Sequence, residues 1–88
     1  MDAMHAILDR FPMRALEILR RSQRDPRFRS ICGDYAEAAS ALRHWAGVAG
    51  DLHPTTREYR SFVGELEVEI LRHLDEAGEG GLPPSARI

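Results

Sequence analysis

Phe28, Tyr35, Leu42 and Ala49 recur every seven residues, and Ile31, Ala38 and Trp45 fill the positions three further on. Cys32, Ala39 and Ala46 lie beside them. That spacing is helical, and it draws a wide apolar stripe along a helix of about 20 residues, some 30 Å long. Asp25-Pro26 marks its start, because aspartate caps free backbone N–H groups and proline suits the first helical residue. Gly33 falls off the stripe and costs about 1 kcal/mol relative to alanine. A stripe this wide cannot stay in water, so the rest of the chain must cover it.

The segment "AGVAGDLHPTT" breaks the pattern with Gly47, Gly50 and Pro54. Thr55-Thr56-Arg57-Glu58 then reads as a capping box, in which threonine and glutamate satisfy each other's free N–H groups. The next helix is expected to run to about Ala77, with Tyr59, Phe62, Val63, Leu66, Ile70, Leu71 and Leu74 facing inward. A short connection favours antiparallel neighbours, which puts Phe28 near Leu74. Ahead of the hairpin, Ile7, Leu8 and Phe11 have helical spacing in "HAILDRF" before Pro12 interrupts. A second short helix is expected from about Pro12 to Ser22, with Met13, Leu16, Ile18 and Leu19 as its apolar residues. The expected fold is all-α: a short N-terminal helix leading into an antiparallel hairpin of two longer helices. Residues 1–77 form its single domain, and residues 78–88, rich in glycine and proline, form a flexible tail.

An 88-residue chain has room for one domain. A domain of this size buries only roughly 60% of its unfolded surface, with a stability on the order of 5–10 kcal/mol. Pairing with a second copy supplies further burial, and the alanines of the long helix offer a surface for it. Ala36, Ala38, Ala39, Ala41 and Ala46 would let another helix approach closely. A homodimer in a helical bundle is therefore the expected partner arrangement, with Ala38, Ala39, Leu42 and Trp45 as the candidate seam.

Charge is unevenly spread. Arg20 to Arg29 sets five arginines against Asp25, a net of +4, in a chain whose net charge is −2. Glu65 to Glu79 sets six acids against Arg72, a net of −5. An antiparallel hairpin brings these stretches to the same end, where each exposed pair is worth about 0–1 kcal/mol. A nucleic-acid binder instead leaves a basic surface unopposed, often with aromatics interleaved, and here the nearby Phe28 belongs to the core stripe. Nucleic acid is thus the rival partner. Arg20, Arg21 and Arg24 are the candidates for charge-dependent contacts.

Several chemistries are excluded or disfavoured. All twelve basic side chains are arginine, so a Walker phosphate loop and Schiff-base chemistry have no lysine. No asparagine is present to accept an N-linked glycan. His5/Asp9 and Glu69/His73 share helix faces at i,i+4 spacing, but a closed metal site needs four ligands, so both read as surface ion pairs. Cys32, on the stripe, reads as a small buried hydrophobe, with Arg27 to Arg29 as the only setting for an activated thiolate. Ser22, Ser30, Ser40 and Ser61 belong to no nucleophile elbow. No catalytic activity, cofactor or metal is expected. One cysteine fits a reducing compartment, and no apolar run reaches the roughly 18 residues of a membrane span. The N-terminus lacks a basic stretch followed by an apolar one, so a cytoplasmic location without membrane association is expected.

Phe11-Pro12, Ile18, the "DPRF" run from Asp25 to Phe28 and then Tyr35 resemble the small bacterial YdcH-like family. Members begin a helix with Phe-Pro, enter a long helix through Asp-x-x-Phe and carry an aromatic or acidic turn beyond it. The resemblance covers roughly Leu8 to Trp45, about half the chain. It implies a small helical hairpin of uncharacterised function, with no catalytic residues to carry over. The chain departs from the family in lacking lysine, and its Tyr59 to Leu74 helix has no matching signature.

Overall fold

A computed structural model describes residues 4–78 of the chain. They form α1 (His5–Arg10), a 3-10 turn (Pro12–Arg14), α2 (Ala15–Arg24), α3 (Pro26–Ala49) and α4 (Pro54–Gly78). No strand occurs among the described residues. The architecture is all-α, with α3 and α4 as a long antiparallel hairpin and α1 and α2 packed across one of its faces. The molecule is elongated, 52 × 29 × 21 Å. The expected tail lies outside the described residues, apart from Gly78, which ends α4.

The core is the stripe read from the sequence, closed by its partner. Phe28, Cys32, Tyr35 and Ala38 from α3 meet Val63, Leu66, Ile70 and Leu74 from α4, with Ile7 and Ile18 completing the cluster. Phe28 lies beside His73, their rings 6.0 Å apart and edge to face, so the predicted pairing of Phe28 with the Leu74 end is present. Full burial of each large apolar side chain contributes about 1.5–3 kcal/mol.

Two parts of the sequence reading need correction. The expected Pro12–Ser22 helix is a 3-10 turn followed by an α-helix that continues to Arg24. Of its four apolar residues only Ile18 is buried. Met13 is 94% exposed, Leu16 60% and Leu19 39%. The reason is reach: α2 is only ten residues long and already buries Ile18 and Ser22, while Leu16 and Leu19 lie round on its outer side. The second correction concerns the start of α4. Pro54 is already helical, so Thr55 cannot be the cap, and the imidazole Nδ1 of His53 accepts the Thr55 amide at 3.1 Å. Thr56 is fully buried and its hydroxyl has no partner among the described residues.

The two connections are tightly made. Asp25 accepts the amides of Arg27 at 3.0 Å and Phe28 at 3.2 Å, and its other oxygen pairs with Arg21 at 2.9 Å. Arg29 donates to the Ser22 carbonyl at 2.7 Å, and the Ser22 hydroxyl to that of Leu19 at 2.9 Å. At the far end Gly50 ends α3 with φ +90, a conformation that glycine adopts without strain. His53 stacks on Trp45 there, ring centres 5.6 Å apart.

The Asp25 carboxyl is held below its ordinary 3.8, first by the Phe28 amide and then by Arg21. A lowered folded-state value means stability that is present above 3.8 and lost as pH falls through the lowered value. Asp25→Ala is expected to reduce the melting temperature at neutral pH by a few degrees. The difference from wild type should shrink in melts recorded at successively more acidic pH.

Candidate functional site

Three surfaces compete for a functional role: the alanine-bearing flank of α3, the arginine corner, and a polar clasp between α1 and the hairpin. On α3, Ala38 is 3% exposed and belongs to the monomer core. Ala39 and Leu42 are half-buried against that core. Trp45 is half-buried, flanked by His53 and by His44 at 5.9 Å.

These four residues do not share one open face. Ala39 borders a groove of about 710 Å³ with Ala6, Arg10, Tyr35 and Arg43, on the α1 side. Ala38 borders a different depression of about 500 Å³, with Asp34, Glu37, Ala41, Tyr59 and Phe62. Neighbouring helical residues point about 100° apart, and α4 occupies the direction between them. Phe62, expected inside, is 45% exposed here. The apolar floor with acidic neighbours that it shares with Tyr59 and Ala41 is not visible in a one-helix pattern, because α3 and α4 each contribute half.

The arginine corner divides in two. Arg21 and Arg29 are engaged locally, by Asp25 and the Ser22 carbonyl. Arg20, Arg24 and Arg27 are exposed and make no ion pair among the described residues. The expected neutralisation by α4 is supplied to other arginines: Arg10 meets Glu67 at 3.0 Å and Arg14 meets Asp75 at 3.0 Å. Glu67 and Asp75 lie eight residues apart on the α4 flank that α1 and the 3-10 turn cross. Glu58, Glu65, Glu69 and Glu76 follow another line, on which Phe62 also lies. Phe62 and Glu67, five residues apart, point about 140° from each other. Of that acidic line only Glu69 has a partner among the described residues, His73 at 4.0 Å. Charges that are neighbours in a linear reading are thus sorted onto opposite sides.

The clasp is a group the sequence reading did not single out. Glu67 Oε2 accepts from the Tyr35 hydroxyl at 2.8 Å and from Arg10 Nε at 3.0 Å. It ties α1, α3 and α4 at one point. A signal existed: Glu67 falls between Val63 and Ile70 on the apolar side of α4, where an acid needs a partner. Burial, followed by Glu67, pushes the Tyr35 hydroxyl up to about 12, so it stays a proton donor. Burial likewise pushes the Cys32 thiol up to about 11, which keeps it protonated and poorly nucleophilic. His5 sits 3.1 Å from Asp9, both exposed. Among the described residues no three His, Cys, Asp or Glu side chains gather as metal ligands, and no helix is long and apolar enough to cross a membrane.

No family model, curated protein or solved structure matches this chain.

Tyr35→Phe removes one of the two bonds to Glu67 and is expected to cost about 1–2 kcal/mol in urea unfolding. The raised Tyr35 value gives stability that is full below pH 10 and lost as pH rises towards about 12. The gap between the two proteins should therefore be constant at neutral pH and narrow in strong alkali.

Proposed function

We propose that this chain is a non-enzymatic interaction module of the cytoplasm that works through helix faces and pairs with copies of itself. The observation that carries this reading is the uncovered apolar surface on the hairpin side that α1 and α2 do not reach, with Phe62 exposed and Tyr59, Ala41 and Trp45 half-buried. A small domain gains most from covering such a surface with protein. The YdcH-like resemblance of Leu8 to Trp45 accords with a small helical module that has no catalytic residues. Of the seam read from the sequence, Leu42 packs against the core and Trp45 is half-buried against His53, and neither lines the Phe62 depression. Ala38 serves as its floor, and Ala39 faces the α1 groove.

Light scattering on a sizing column is expected to give a mass above that of the 9.9 kDa monomer. Phe62→Glu should return the protein to monomer with its helical circular dichroism intact. A wild-type protein that stays monomeric at every concentration would remove this reading.

The second reading is nucleic-acid binding by the Arg20 to Arg29 stretch, favoured by the exposed Arg20, Arg24 and Arg27, which make no ion pair among the described residues. Against it, the neighbouring Met13 and Leu16 are apolar and would gain nothing from a phosphate backbone. Titration into a fluorescent oligonucleotide decides between the readings. A binder shows affinity that falls steeply with salt, and absence of binding at low salt ends this alternative.

A further inference from the structure

Among the described residues, the exposed arginines of α2 that make no ion pair and the exposed acids around Phe62 lie on different sides, and each group borders apolar residues. Met13 of the 3-10 turn is followed on the outer face of α2 by Leu16, Leu19, Arg20 and Arg24, with Arg27 just beyond at the start of α3. On the opposite side, Phe62 of α4 lies between Glu58 and Glu65, with Arg57 on the same rim, and the adjoining floor of Ala41 and Tyr59 is edged by Asp34 and Glu37, so four acids outnumber one cation there. None of Asp34, Glu37, Glu58 and Glu65 has an ion pair among the described residues. One side is a protruding basic helix with an apolar tip; the other is an acidic depression with an apolar floor. Leu16 to Arg24 spans about 12 Å along α2, and Glu58 to Glu65 about 10 Å along α4.

We infer that the occupant of the acidic depression is the α2 face of a second copy, so that the protein associates head to tail. The inference rests on the self-pairing reading above and specifies its contact. Opposite charge favours this pairing over α2 with α2 or depression with depression, each of which would bring like charges together. Asp75, which binds the α1–α2 side through Arg14, and Phe62 are 13 residues apart on α4 and point about 140° from each other. Two different patches on opposite sides cannot both be used across one two-fold axis. The contact is therefore heterologous, and growth need not stop at two copies. Exposed charge pairs contribute modestly and are screened by salt, whereas the apolar groups are not.

Sedimentation equilibrium of the full chain tests this with two charge-reversed proteins, Arg20→Glu/Arg24→Glu and Glu58→Arg/Glu65→Arg. Wild type at low salt is expected to rise in mass with concentration beyond two copies, and to fall back towards monomer at about 0.5 M salt. Each reversed protein alone should be monomeric, because the substituted side chains then meet their own sign across the contact. Mixing the two should restore association, since every contact is again between opposite charges. If a reversed pair loses helical circular dichroism, the neutral pairs Arg20→Gln/Arg24→Gln and Glu58→Gln/Glu65→Gln read the same contact, each as roughly tenfold weaker self-association. A salt-resistant dimer indifferent to both substitutions would overturn the head-to-tail contact while leaving self-pairing intact. So would a mixture that stays monomeric where wild type associates. A wild type that is monomeric throughout would overturn both.

Discussion

Everything in this molecule hangs on the closure of the α3 stripe by α4. Phe28, Cys32, Tyr35 and Ala38 are removed from water with Val63, Leu66, Ile70 and Leu74 of α4, and the α1–α2 side adds Ile7 and Ile18 to the same cluster. Neither helix alone has reason to persist, since most helical stability in a protein comes from packing an amphipathic face. The short α1 and α2 depend on that hairpin in turn. Each contributes one fully buried isoleucine, Ile7 or Ile18, to a core that already exists. Their docking is then fastened by Arg10 to Glu67 and Arg14 to Asp75.

That docking decides what is left exposed. Two of α4's acids face α1 and the 3-10 turn and are consumed by arginines that precede the basic cluster. Among the described residues, Arg20, Arg24 and Arg27 are thereby left without an ion pair. Glu58, Glu65 and Glu76, on another part of the α4 circumference, likewise make no ion pair among the described residues. The result is a molecule polar in both senses, with apolar groups set into each charged side. An arrangement of that kind is poorly satisfied by water and by itself, and well satisfied by a complementary surface.

Much of the fold was legible. The seven- and three-residue spacing of Phe28 to Ala49 is local information, and so is Asp25-Pro26, whose capping bonds join residues two and three positions apart. The inward residues of α4 were mostly read correctly for the same reason, and the antiparallel pairing follows from a short connection. Errors arose wherever the answer depended on a neighbour's position. Met13, Leu16 and Leu19 are apolar at helical spacing, yet α2 is too short and lies too far to one side to bury them. Thr55 and Glu58 match a capping box, but the helix starts two residues earlier, at Pro54, and His53 takes the capping role. The candidate seam was only half visible. Ala38 and Ala39 are adjacent in the chain but face separate grooves once α4 sits between them.

The sequence by itself determined that this chain is helical, where α3 begins and where the hairpin breaks, and most of the stripe that each long helix buries. Those properties depend on residues within a few turns of one another, where covalent geometry leaves little choice. The tertiary structure alone decided which arginine meets which carboxylate, that Tyr35 and Arg10 converge on Glu67, and that Phe62 opens to solvent beside acids from two helices. Ion pairing and exposure depend on the rotation of one helix about its axis relative to the next. That angle is set by the packing of many side chains at once, and no single segment encodes it.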